Sequence, residues 1–389
     1  MFRPISNEPI RLCIACLLFC CTSSLTAQSL MEFQLRSQRQ SSQSPDSFET
    51  TIDRQAWDAD QTAIIVCDVW DYHHCLNAVR RIEEFAPRLN QVLQAARKQG
   101  VTIIHAPSDC MEAYRDHPAR IRAINAEKSE DLPKDIETWC SQIPSEEDAH
   151  YPIDQSDGGE DDDPAEHVAW AKKLESLGRN PQMPWKKQTD LLAIDATTDY
   201  ISDRGDEVWN ILQQHEIKHV ILAGVHTNMC VLGRPFGLRR MVKAGKNVVL
   251  MRDMTDTMYN PKSWPYVSHF EGTRRIIDHI ERYVCPTISS EQILGGREFR
   301  FADDSGKSEH KLAVGNPQHE WTVVSVPAEA LDSNPVVQWF RCAVRIPKDW
   351  ANRTVRLEFQ RGDRLQVWIN GNELARDGEK RFVIAATDI

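Results

Sequence analysis

Thr62-Ala63-Ile64-Ile65-Val66-Cys67-Asp68 is the stretch that decides the fold. A continuous apolar run rich in β-branched residues is the pattern of a central parallel strand buried on both faces. From Ile82 to Lys98 the apolar residues Phe85, Leu89, Val92, Leu93 and Ala96 recur at a helical period, and Gly100 ends the helix. Val101-Thr102-Ile103-Ile104-His105 reads as a second strand. Further on, a helix Glu207 to His215 leads into the strand His219-Val220-Ile221-Leu222-Ala223. A helix Leu238 to Lys243, closed by Gly245, leads into Asn247-Val248-Val249-Leu250-Met251, and a final helix spans about Thr273 to Tyr283. Alternating strands and helices imply right-handed βαβ units, hence an α/β fold with a doubly wound, mostly parallel sheet.

Outward from this unit the chain changes character. Arg3 and Arg11, the apolar run Leu12 to Cys21 and the small pair Thr26-Ala27 have the order of a secretory signal, so residues 1–27 are read as an export signal and the mature protein as periplasmic or extracellular. The apolar run is too short to span a bilayer, which needs about 20 residues. Residues 28–57, rich in Gln, Ser and Arg, read as a polar linker. The α/β unit occupies 58–288, with an insertion at about 107–184. That insertion holds Asp154, Asp157, Glu160, Asp161, Asp162 and Asp163 around Gly158-Gly159; the spacing does not fit an EF-hand, and a solvated acidic loop is expected. From 289 to 389 apolar and polar residues alternate through Val336 to Val344, Thr354 to Phe359 and Arg364 to Ile369, with Asn370-Gly371 as a turn, so a small β-sandwich domain is expected. A net charge of -11 argues against nucleic acid as the main partner, because phosphate binding needs a basic face.

The chemistry sits at strand ends. Open α/β sheets place their sites outside the carboxyl ends of the strands, where Asp68 stands. Ala223-Gly224-Val225-His226-Thr227-Asn228-Met229-Cys230 begins at another strand end and puts Cys230 after a glycine turn, near the start of the next helix. There the free N–H groups and the helix dipole favour a thiolate and are placed to hold an oxyanion. Pro235, soon after, lacks the N–H of a helix interior, so this helix is expected to be kinked or to start late. Asp68 would take the thiol proton, and a lysine at 186 or 187 would keep the carboxylate charged.

In this order, the strand ending Val66-Cys67-Asp68, the pair Lys186-Lys187 and Gly224 to Val231 resemble the isochorismatase-like cysteine hydrolases, which include nicotinamidases and N-carbamoyl amidohydrolases. Asp253, after Val248 to Met251, fits as well, and the resemblance covers roughly Thr62 to Pro286. It implies an Asp–Lys–Cys triad, here Asp68, Lys187 (preferred over Lys186 on spacing) and Cys230. It also implies a cis peptide at Val225–His226 and an oxyanion hole from the N–H groups of His226 and Cys230. Trp70, His74 and Thr227 are the expected substrate contacts. The sequence departs from the family at Asp68-Val69-Trp70, where Asp-x-Gln is usual, and at His105 to Asp109, which lacks the Asp-x-His of metal-dependent nicotinamidases. Asp71 and His73 have metal-ligand spacing but are expected to form a polar pocket wall, so no metal and no cofactor are assigned. True isochorismate hydrolases lack the Cys, so its presence points to hydrolysis of a small carboxamide or carbamoyl compound through a thioester. The alternative is a catalytically silent fold that serves as an exported binding or surface module.

Trp339-Phe340-Arg341 to Trp368-Ile369-Asn370-Gly371 resembles the jelly-roll sugar-binding domain of β-galactosidase-type glycosidases, which implies carbohydrate as a ligand; the alternative is a structural β-domain without one. A small-molecule substrate is the other expected partner; whether the chain forms a homo-oligomer is left open. Of the 11 cysteines, seven follow residue 27. Cys110 and Cys140 share the insertion, where irregular structure gains most from a staple, and a bridge between them is expected, with Cys230 reduced.

Overall fold

The computed structural model describes residues 29–42 and 48–304, and beyond them only 355–358, 367–369, 372–374 and 381–384. The expected export signal, Cys342 and most of the expected jelly roll lie outside the described residues. The last stretches hold two antiparallel pairs, β9 (Val355–Glu358) with β12 (Arg381–Ile384) and β10 (Trp368–Ile369) with β11 (Asn372–Glu373), the latter flanking the expected Asn370-Gly371 turn.

One eight-stranded sheet organises the rest. Its strands are β1 (Leu30–Gln40), β2 (Phe48–Asp58), β3 (Thr62–Cys67), β4 (Thr102–Ala106), β5 (Tyr200–Ile201), β6 (His219–Val225), β7 (Asn247–Asp256) and β8 (Thr287–Ile288). The spatial order is β2-β1-β8-β7-β6-β3-β4-β5. From β3 to β8 every pairing is parallel; β1 joins antiparallel. The chain runs outward through β4 and β5, then returns to lay β6 against the other side of β3. β3 and β6 are therefore the switch point of the sheet, where α/β folds open a crevice.

Side-chain alternation explains the layers. In β3, Ala63, Ile65 and Cys67 face one core, shared with α4 (Gly205–Gln214), α5 (Leu238–Lys243) and α6 (His269–Tyr283). Ile64 and Val66 face the other, shared with α1 (Leu76–Lys98). Burial on both faces is why this strand reads as an unbroken apolar run.

Two expectations are corrected here. Residues expected to be a linker form the β1–β2 hairpin, whose Met31, Phe33 and Leu35 are buried while Leu30, Glu32 and Gln34 are not. That period of two was present but masked by polar composition. The acidic loop, in turn, is docked rather than solvated. Asp161 pairs with Arg81 at 2.8 Å. Asp162 accepts the Leu76 and Asn77 N–H groups at 2.8 Å each, and so caps α1 from 86 residues away. Asp157 accepts from the Ser263 hydroxyl at 2.7 Å, and Asp163 caps α3 (Pro164–Ser176). The first amides of a helix lack intrahelical partners, and a buried arginine needs counter-charge; these carboxylates supply both.

At the switch point Gly224 has φ +113°, and a Cβ there would lie 2.0 Å from the Cys67 carbonyl oxygen. Only glycine lets β6 approach β3 this closely. Gly224→Ala is expected to cost about 3 kcal/mol or more, the sum of left-handed strain and overpacking, read as a lowered urea midpoint at unchanged slope.

Candidate active site

Asp68 ends β3 and Cys230 lies five residues past the end of β6, so the switch point itself brings them together. Asp68 is fully buried and adopts φ +50°, a left-handed conformation that Asp tolerates better than most residues. Its carboxylate has three neighbours. The Ser108 N–H donates to Oδ1 at 2.7 Å, the Arg234 Nε–H donates to Oδ2 at 3.2 Å, and the Cys230 thiol lies beside it. Burial raises the Asp68 pKa; Arg234, Cys230 and Ser108 pull it back only partly, so it stays above the ordinary carboxylate range. Burial and the adjacent Asp68 charge also push the Cys230 thiol well up, against the pull of Arg234. The resting site is thus a neutral thiol beside a carboxylate that accepts protons more readily than usual.

This corrects the expected thiolate at a helix start. Cys230 sits in a five-residue π-turn, Thr227–Val231, and α5 begins only at Leu238. Pro235 breaks the path between them, as its missing N–H dictates. The Val225–His226 peptide is cis, as the resemblance implies. His226 is buried, and burial pushes its imidazole down to about 3, so it is neutral.

The two lysines do not reach Asp68. Lys187 Nζ holds both oxygens of Asp190 at 2.6 Å, and Lys186 Nζ reaches the Gly178 carbonyl at 3.3 Å. Their segment pairs with Trp70 through Gln188, and this bridge directs Gln188 inward to His105, at 2.9 Å. Arg234 occupies the place expected for a lysine. Sequence reasoning missed it, although the signal existed: a cation four residues after the nucleophile, released from helical phase by Pro235.

Thr227, expected as a substrate contact, is buried and bonded within the protein. Its hydroxyl donates to the Asp256 carbonyl at 2.9 Å and lies 2.6 Å from the Thr255 hydroxyl, which ties the turn to β7. Trp70 does border the nucleophile: it packs in one apolar cluster with Cys230 and stacks on Trp185 at 4.5 Å. His74 stands beside His73, ring centres 4.0 Å apart, and its buried Nδ1 has no partner. Asp71 is held by Arg179 at 2.8 Å and by the Lys186 N–H at 3.0 Å, while His73 Nδ1 accepts the Cys75 N–H at 3.2 Å. Neither belongs to a three-ligand group among the described residues. Asp253 stands inside β7, which runs on to Asp256, and its carboxylate binds Ser290 and the Phe299 N–H. Cys110 and Cys140 are separate thiols: Cys110 packs under Trp70 and Tyr114, while Cys140 turns to the Gln142 carbonyl. Cys230 is unbridged.

No family model and no curated protein matches the chain. Solved structures do. A cysteine hydrolase from Pseudomonas syringae pv. phaseolicola 1448A is 16% identical, over 61% of this chain and 94% of that one, with a TM-score of 0.36. An isochorismatase family protein from Desulfovibrio vulgaris subsp. vulgaris str. Hildenborough is 11% identical, over 57% and 89%, at 0.30. N-carbamoylsarcosine amidase from Thermoplasma acidophilum is 13% identical, over 59% and 97%, at 0.32. At these identities and scores the likeness assigns no activity to this chain.

Proposed function

We propose that the chain is a cysteine-dependent hydrolase of a small carboxamide or carbamoyl compound. The observation that carries this reading is Asp68: a fully buried carboxylate beside the Cys230 thiol, held by Arg234 at 3.2 Å, that accepts protons more readily than an ordinary aspartate. A buried carboxylate between a thiol and a cation is costly to keep, and general-base work explains it.

In this reading the Cys230 sulfur attacks the carbonyl carbon as its proton moves to Asp68. The oxyanion of the tetrahedral adduct takes hydrogen bonds from the His226 and Cys230 N–H groups. Collapse breaks the C–N bond; Asp68 returns the proton to the leaving nitrogen, which departs as ammonia or an amine. Water then attacks the thioester, again giving a proton to Asp68. The second collapse releases the carboxylic or carbamic acid, and the proton goes back to the Cys230 sulfur. Trp70 and His74 line the approach, with the Trp70–Trp185 stack as a flat wall for a planar amide.

Ammonia release by purified protein, screened over carboxamides and N-carbamoyl compounds, identifies a substrate. Cys230→Ala is expected to abolish that release. Turnover by the variant at the parental rate would sink the reading and leave the binding-module alternative.

A further inference from the structure

The proposed reaction needs a cation to keep Asp68 ionised, and both candidate lysines are engaged elsewhere. The segment after the nucleophile is built to present another. Arg234 donates its own N–H to the Cys230 carbonyl at 3.0 Å, and its carbonyl accepts the Gly237 N–H at 2.7 Å. Pro235 prevents the helix from continuing, so the residue-234 side chain turns back toward β3. Gly233 must lack a side chain, since a Cβ there would lie 2.3 Å from the Trp139 ring. That ring in turn lies under the guanidinium, 5.9 Å from centroid to Cζ. A terminal nitrogen of Arg234 sits 3.8 Å from Asp109, while Nε holds Asp68 at 3.2 Å. Turn, aromatic floor and second carboxylate all fix one guanidinium.

We infer that Arg234, and neither lysine, is the positioning cation that keeps Asp68 charged and aligned on Cys230. The assignment rests on the proposed roles of Cys230 and Asp68. Unlike a lysine, an arginine stays protonated at any working pH, so this cation cannot itself titrate away in alkali.

The test reads the site without a known substrate. Full-length protein is alkylated with iodoacetamide between about pH 4 and 9, and modification at Cys230 is followed by peptide mass spectrometry. The rate should rise as the proton pair of Cys230 and Asp68 loses its first proton, so its inflection reports the pair. Removing an opposite charge at this range shifts a carboxylate by about 1–3 units. In Arg234→Gln the inflection is therefore expected to move up by one unit or more, with labelling below it slowed about 10-fold or more. Arg234→Lys keeps the charge with a different reach, so it guards against loss of folding in the first variant and should fall between. Lys187→Gln should overlay the parent. An unmoved inflection in both Arg234 variants, or an equal shift in Lys187→Gln, overturns the assignment. If Cys230→Ala still releases ammonia, the underlying reaction falls; if it does not, yet the Arg234 profiles stay put, only Arg234 falls.

Discussion

Asp68→Asn should lower kcat/KM for any amide the protein hydrolyses by about 10³-fold or more, because it removes the group that takes and returns the proton in both half-reactions. The fold should barely notice. Asn accepts the left-handed conformation at φ +50° as readily as Asp, and its carbonyl oxygen can still accept the Ser108 N–H. The charge argument gives the sign of the pH dependence. The Asp68 pKa in the folded state lies above its ordinary value of 3.8. Its contribution to stability is thus complete below that value and is lost as pH rises through the raised one. Asn carries no such loss. Urea unfolding at pH 4 and pH 7 should show the variant gaining on the parent as pH rises, and lying within about 1 kcal/mol of it or above it at pH 7. A variant that loses activity only by unfolding would contradict this.

The sheet was legible because its strands are buried on both faces. Thr62 to Cys67, His219 to Val225 and Asn247 to Met251 appear as apolar runs, and their order places Asp68 beside the Cys230 turn. What could not be read is whatever depends on partners far along the chain. Asp162 caps α1 across 86 residues, so the true start at Leu76 is invisible to local pattern, which starts the helix at Ile82. Lys187 and Arg234 illustrate the same limit in the site. Both are cations at suitable distances from Cys230 in sequence, but Lys187 finds Asp190 three residues away, whereas Pro235 turns Arg234 inward. The acidic run looked solvated because nothing local shows that Arg81, on another element, is buried and needs two carboxylates, Asp161 and Asp256. His269 bonds the same two carboxylates at 3.2 and 2.8 Å; although burial and Arg81 work against it, they hold its imidazole above the usual range. That buried network ties the insertion to β7 and α6, directly behind the nucleophile turn.

Glu146 is the second such tie, and its removal is expected to have the largest effect on stability. It ends a 3₁₀ turn, Pro144–Glu146, within the insertion. Its carboxylate accepts both Arg239 nitrogens from α5 at 2.8 Å, lies 2.9 Å from His279 Nε2 on α6, and accepts the Ile143 N–H at 3.0 Å. Arg239 and Glu146 side chains are only 8% and 3% exposed, so neither recovers hydration if its partner is lost. Glu146→Gln leaves a buried guanidinium without counter-charge, which costs about 3–5 kcal/mol for pairs of this kind. The exposed pair Arg204–Glu137 is the control: Glu137→Gln should change stability by about 1 kcal/mol at most. Burial alone would raise the Glu146 pKa, but hydrogen bonds from His279 and Arg239 hold it down at about 2, against an ordinary value of 4.5. A depressed folded-state pKa means that this stability is complete above 4.5 and is lost as pH falls toward about 2. The urea midpoints of parent and Glu146→Gln should therefore differ most near neutrality and converge as the pH falls below 4.5. A gap that stays constant down to the acid limb would mean that Glu146 contributes by packing rather than by its charge.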